Sequence, residues 1–258
     1  MARTGEVDSF ARDALPSREQ WPDLLVEQAG LSYPEQLNCV SELLDSWLAR
    51  GMGDRPCVYS LTERWSYAEL AARVNRIANV LIRQLGVIPG NRVLLRAPNT
   101  PLALASTLAV MKAGGIAVPT MPLLRARELA FMIGKGRIAL ALCDHRLLDE
   151  LRRAQEQAPE LRRIVPMGGH RSDDLVAAMA SEPAAFEAWP TLADDTCLIA
   201  FTSGTTGVPK GTMHFHRDML AVCDTYGRHV LRERRGHLHR LRADRVRLWD
   251  RRGGAVSL

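Results

Sequence analysis

Between Ser66 and Gly86, apolar side chains recur three or four positions apart, at Leu70, Val74, Ile77, Val80 and Leu81. That spacing predicts an amphipathic helix with one buried stripe. Ser66 is placed to cap it, Glu69 three residues on completes a capping box, and Gly86 ends it. Upstream, Val40–Ala49 reads as a short amphipathic helix and Pro56–Leu61 as a strand. Downstream the pattern shifts to short continuous apolar runs. Arg92–Arg96 reads as a strand, Pro98–Pro101 as a loop that opens a helix to Ala113, and Gly114-Gly115 as a turn into strand Ile116–Pro119.

The same alternation continues. A helix is expected from about Arg125 to Ile133, a strand over Ile138–Cys143, a helix over Leu147–Gln157 and a strand over Arg163–Pro166. Asp173–Ala180 reads as a helix, Pro183–Asp195 as a loop and Cys197–Phe201 as a buried strand. No internal repeat interrupts this order. Strands that alternate with helices and are apolar along most of their length predict an α/β fold. Its sheet would be mostly parallel and covered by helices. Residues 1–36, with Pro16, Pro22 and Pro34, read as an extended lead-in.

The chemistry concentrates in residues 202–211, Thr-Ser-Gly-Thr-Thr-Gly-Val-Pro-Lys-Gly. The stretch follows the Cys197–Phe201 strand and precedes a helical pattern from about Phe215 to His229, so it reads as strand, small-residue loop, helix. Such a loop suits a phosphate. Glycines admit close backbone approach, N–H groups and hydroxyls donate to the oxygens, and a lysine adds a point charge. A Walker A loop is excluded by spacing, because Pro209 precedes Lys210 and Gly211 follows it.

This string resembles the signature of the adenylate-forming superfamily, which includes acyl- and aryl-CoA synthetases, luciferases and peptide-synthetase adenylation domains. Ser66-Tyr67-Ala68-Glu69-Leu70, the segment Ala109–Pro119 around Lys112-Ala113-Gly114, and Asp194-Asp195 resemble other family segments in the expected order. The resemblance covers about Leu37 to Leu231, so residues 37–231 read as part of the N-terminal domain of such an enzyme. Within it, Gly211–Asp218 resembles benzoate- and 2-aminobenzoate-CoA ligases most.

The resemblance implies a two-step reaction. A carboxylate attacks the α-phosphate of ATP with loss of pyrophosphate, and the thiol of CoA then displaces AMP. Thr202, Ser203, Gly204, Thr205, Thr206, Gly207 and Gly211 would wrap the phosphates. Lys210 would neutralise the leaving pyrophosphate, Mg²⁺ would assist, and His216 would stand near the acyl site. The implied partners are a small carboxylic acid and CoA. The sequence has no later Tyr-Gly-x-Thr-Glu segment, ribose-binding Asp motif, hinge or small C-terminal domain with its lysine. On this reading the polypeptide by itself forms neither acyl-adenylate nor thioester. A chain cut within a domain would also aggregate or engage chaperones.

Composition refines this picture in three places. The five cysteines have no paired spacing and read as reduced thiols, as in a cytoplasmic protein. A zinc set of His214, His216 and Cys223 matches no standard spacing, so no metal site is expected, and packing or capping is the stronger reading of the histidines. Asp194 and Asp195 read as a solvated turn rather than as paired catalytic carboxylates. The longest apolar stretch, Leu102–Met111, is too short to span a bilayer, and residues 1–16 lack the apolar core of a secretory signal.

The formal charge of +5 is almost all tail. Residues 232–258 hold nine Arg against Glu233, Asp244 and Asp250, a net of +6, which leaves −1 for the preceding 231 residues. The overall basicity therefore gives no reason to expect nucleic acid. The tail loses apolar periodicity. One synonymous back-translation of residues 236–250, read one base later, spells Asp-Ile-Phe-Ile-Gly-Ser-Ala-Pro-Ile-Ala-Phe-Asp-Phe-Gly. That string resembles the substrate-pocket segment of aryl-CoA ligases, so the tail reads as a frameshift product. The alternative is a non-catalytic binding protein that uses the basic tail.

Overall fold

In a computed structural model, the structure describes residues 4–23, 25, 28, 30–169, 171–202 and 209–226, and the backbone of 247–249 and 255–257. Its first elements are a short helix α1 (Phe10–Asp13), a π-helical turn over Ser41–Asp45 that continues into α2 (Ser46–Ala49), and an antiparallel pair, β1 (Pro56–Tyr59) with β2 (Arg64–Ser66). Helix α3 (Tyr67–Asn79) begins at the expected capping box. Ser66 Oγ accepts from the Glu69 N–H (3.2 Å) and Glu69 Oε2 accepts from the Ser66 N–H (2.8 Å). A π-helical turn over Val80–Gln84 follows, and Gly86 takes the left-handed φ of +67° expected at a helix end.

The central sheet has six strands in the order β6-β5-β3-β4-β7-β8. They are β3 (Arg92–Arg96), β4 (Ile116–Thr120), β5 (Leu140–Asp144), β6 (Arg163–Met167), β7 (Thr196–Thr202) and β8 (Lys210–Phe215). All neighbours are parallel except β7 and β8. The connecting helices are α4 (Pro101–Lys112), α5 (Ala126–Gly136), α6 (Leu148–Gln157) and α7 (Leu175–Met179); α8 (His216–Thr225) follows β8. Beyond α8, β9 (Arg247–Trp249) and β10 (Ala255–Ser257) form a separate antiparallel pair.

Both faces of the sheet are buried, as the apolar strands require. Val93, Leu95 and Leu142 pack with Leu70, Ile77 and Leu108 of α3 and α4, whereas Leu94, Val118 and Ala141 pack with Leu129, Ile133 and Leu151 of α5 and α6. Helix α4 is buried to its last residue. Lys112, 1 % exposed, places Nζ 2.7 Å from Asp45 Oδ1 and 2.7 Å from Asn75 Oδ1. Gly114 then turns the chain at φ +76°, where a Cβ would lie 2.8 Å from the Trp189 ring.

Two expectations need correction. Residues 210–215 form a strand, so the small-residue loop joins the two strands of a hairpin instead of leading directly into a helix. Pairing from Thr202↔Lys210 to Thr196↔Phe215 satisfies their backbone groups on β7. Asp195 is not a solvated turn residue. It is 4 % exposed and accepts from Thr4 Oγ1 (2.6 Å), the Gly5 N–H (3.0 Å) and the Leu192 N–H (2.8 Å). Asp194 pairs with Arg18 and Arg217.

These contacts also organise the start of the chain. Residues 4–13 are strapped across the sheet end by Asp195, by two N–H bonds from Val7 and Asp8 to the Pro89 carbonyl, and by the ion pair of Asp8 with buried Arg92.

Candidate functional site

The antiparallel register of β7 and β8 places Thr202 opposite Lys210 at the loop end of the hairpin, and both are exposed. Lys210 has no ion-pair partner among the described residues. Gly211 lies tight on the strand beside it, since a Cβ there would meet Ile199 Cγ2 at 3.1 Å and the Phe201 ring at 3.5 Å. A hydroxyl and an unpaired ammonium at a hairpin mouth suit an anion with several oxygens. Ser203, Gly204, Thr205, Thr206 and Gly207, the remaining candidates, lie outside the described residues, as does Val208.

Strand β4 runs parallel to β7, with Ala117 opposite Leu198. The carboxyl end of β7, from which the loop leaves, therefore faces the same edge as the carboxyl ends of β3 and β4. At that edge the chain leaves β3 through α4 on one face and β4 through α5 on the other. Divergence of this kind opens a crevice, and ligands of open parallel sheets bind in such crevices. Here the crevice is a cavity of about 430 Å³ walled by Leu95, Pro98, Thr100, Leu104, Pro119 and Met121, among others.

Arg96 does not line the cavity but holds the backbone beside it. Its guanidinium donates to the carbonyls of Met121 (3.1 Å), Pro122 (3.1 Å), Leu124 (2.8 Å) and Leu147 (3.3 Å). The sequence contained the Pro98–Pro101 loop and the strands, but not the strand order that makes a crevice of them. A second cavity, about 370 Å³, lies beside β8 among Pro16, Trp21, Met213, Phe215 and Arg217. Trp21 stacks on Phe215 there, with centroids 5.1 Å apart.

His216 sits one residue past β8 and is 1 % exposed, and it lines neither cavity. Its Nδ1 accepts from the Cys39 backbone N–H at 3.1 Å and lies 3.2 Å from Cys39 Sγ. Cys197 of β7 completes this group, which is the one set of three or more His, Cys, Asp or Glu donors close enough to share a metal among the described residues. It contains neither His214 nor Cys223, and no comparable carboxylate set among the described residues stands beside Thr202 and Lys210. All five cysteines are buried, and none is joined to another by a disulfide. Cys39 is held below the ordinary thiol range by the hydrogen bond from Cys197 and by His216, whereas burial pushes Cys197 up.

Residues 44–247 match the family described as AMP-binding enzyme. The chain is 31 % identical to benzoate–CoA ligase of Thauera aromatica over 206 residues, 80 % of this chain and 39 % of that one. It is 28 % identical to the ATP-bound crystal structure of MatB from Rhodopseudomonas palustris, with a TM-score of 0.66 over 74 % of this chain and 37 % of that one. The crystal structure of the anthranilate CoA ligase AuaEII in complex with anthranoyl-AMP shares the fold, with a TM-score of 0.71, 24 % identity, and 77 % and 37 % coverage. The chain thus spans less than two fifths of the length of each.

Proposed function

We propose, on the premise that this chain belongs to the AMP-binding enzyme family, that its β7–β8 hairpin grips the pyrophosphate end of ATP in an AMP-forming aryl-CoA ligase. The single observation that carries this reading is the cross-strand pair of exposed Thr202 and Lys210 at the mouth of the hairpin, where Lys210 has no ion-pair partner among the described residues. In the proposed reaction a carboxylate oxygen bonds to the α-phosphorus of ATP and pyrophosphate departs. The sulfur of CoA then bonds to the acyl carbon and AMP departs. Negative charge gathers on the leaving pyrophosphate in the first step. Lys210 would neutralise it, while Thr202 and the loop N–H groups would fix the β- and γ-phosphates.

Thr202 and Lys210 fit such a ligand in charge and exposure. Mg²⁺, which would supply further charge neutralisation, would be held through the phosphates rather than by a carboxylate cluster of the described residues. His216 would influence the acyl site by anchoring the end of β8. The proposed substrate is an aromatic carboxylic acid such as benzoate or 2-aminobenzoate, which the similarity to benzoate–CoA ligase supports. We also propose that these 258 residues alone complete neither step.

Equilibrium dialysis of ATP and of pyrophosphate against the chain tests the reading. Lys210→Ala should weaken retention about tenfold or more, the scale of one charge-assisted contact. Equal retention by the two proteins would refute the role of the hairpin.

A further inference from the structure

Beneath the hairpin, three donors from distant parts of the chain meet. Cys39 precedes the turn into α2, Cys197 is the second residue of β7, and His216 opens α8. The two cysteines are 0 % exposed and His216 is 1 % exposed. Their sulfur and nitrogen atoms all lie within 4.8 Å of one another, and the closest recorded approach is the 3.2 Å between His216 Nδ1 and Cys39 Sγ. A tetrahedral zinc ion with bonds of about 2.3 Å to sulfur and about 2.0 Å to nitrogen sets its donors roughly 3.5–3.8 Å apart. The cluster needs only small side-chain movements to reach those separations.

We propose that Cys39, Cys197 and His216 form a site for a thiophilic divalent cation, Zn²⁺ in the first instance, that ties the segment before α2 to the base of the hairpin. Two thiolates and a neutral imidazole balance the charge of such an ion, so the loaded site brings no net charge into the apolar core. The Nδ1 lone pair already faces the cluster, since it accepts from the Cys39 N–H, and this puts the ring proton on Nε2. That N–H also lies against its own sulfur, an acceptor it retains when the ion takes Nδ1. The His214 carbonyl accepts from the Cys197 thiol at 3.6 Å.

The remaining cysteines lack this setting. Burial pushes Cys57 and Cys143 up to about 12, and neither these two nor Cys223 belongs to a comparable donor group among the described residues. Binding would displace two thiol protons and form two metal–sulfur bonds and one metal–nitrogen bond, with no change of oxidation state.

The test is anaerobic titration of the reduced full chain with Co²⁺, followed by displacement with Zn²⁺. One equivalent should produce sulfur-to-cobalt charge transfer in the near ultraviolet and tetrahedral d–d bands, and one equivalent of Zn²⁺ should bleach both. Cys197→Ser and Cys39→Ser should abolish these bands, while Cys143→Ser and Cys223→Ser keep them. X-ray absorption of the zinc-loaded wild type needs no variant, and should report two sulfur ligands and an imidazole nitrogen. Absence of charge transfer, its survival in a folded Cys197→Ser chain, or an oxygen-only shell would each overturn the proposal.

Discussion

Replacement of Glu6 by Gln should make the protein more stable above neutral pH and leave it nearly unchanged in acid. The Glu6 side chain is 2 % exposed beneath the N-terminal strap. Its Oε1 accepts from the Thr196 N–H at 3.3 Å, Oε2 has no hydrogen-bond partner among the described residues, and Arg12 Nε stands 3.9 Å away. Burial first, and then the neighbouring Asp195 carboxylate, push its pKa from 4.5 up to about 7, against the opposing pull of Arg12 and the Thr196 N–H. The folded state therefore holds a proton that the unfolded state releases between pH 4.5 and about 7. The favourable contribution of the protonated carboxyl is complete below pH 4.5, and it is lost as pH rises through about 7.

A rise of this size corresponds to about 3 kcal/mol at 1.36 kcal/mol per unit. Undocking of the strap limits the loss, because residues 4–13 can release the carboxylate to water without global unfolding. Gln keeps the shape of the protonated acid and cannot ionise. Urea denaturation of both proteins at pH 5, 6, 7 and 8 isolates the effect, since every other titrating group is shared. With a slope of about 3 kcal/mol per molar, the midpoint of Glu6→Gln should exceed that of the wild type by up to about 1 M at pH 8. At pH 5 the difference should shrink to about a quarter of that. Parallel pH profiles for the two proteins would refute the reasoning.

Three further outcomes follow from the same structure. Lys112→Ala removes the buried ammonium that joins Asp45 and Asn75, and should lower stability by about 3 kcal/mol in urea denaturation; an unchanged midpoint would mean that the contact holds nothing. Gly114→Ala must adopt φ +76° with its Cβ 2.8 Å from the Trp189 ring, which is itself tied by Nε1–H to the Gly5 carbonyl; a loss of about 2 kcal/mol is expected, and a neutral result would show that the turn relaxes. Sequencing the DNA across codons 225–258 and beyond tests the frameshift origin proposed for the tail. An open frame one base later should carry the remaining ligase motifs, and a closed one would refute that origin.

The parts of the fold that depend on neighbours in sequence were legible in the chain. The residues of β3, the capping box at Ser66 and the end near Gly86 of the helical segment that α3 begins all stand where local pattern put them, because propensity and packing agree there. The hairpin was not legible in advance. Gly211, Met213 and Phe215 alternate with Lys210, Thr212 and His214, but three polar residues and a glycine in six positions make a weak strand signal, and the pairing with β7 decides the outcome. Contacts between distant residues left no local trace. Lys112 meets Asp45 across 67 positions, and Gly5 meets Asp195 across 190. The crevice belongs to the same class, since it comes from the order of strands and the faces their helices take.

The structure also divides the residues that carry the family resemblance by what they physically do. Tyr67 is 2 % exposed and stacks on Trp47 with centroids 5.1 Å apart, Glu69 closes a helix cap, and Lys112 satisfies a buried carboxylate and amide. Gly114 avoids Trp189, and Asp195 pins the N-terminal strap. Each of these roles is internal to the fold. The mouth of the hairpin instead turns a hydroxyl, and a cation with no ion-pair partner among the described residues, toward solvent at the edge where the crevice opens. Loss of an internal residue should therefore appear as lost stability whatever ligand is present. Loss of Lys210 should leave the urea midpoint nearly unchanged and appear only in phosphate binding, since an exposed, unpaired lysine contributes little to folding.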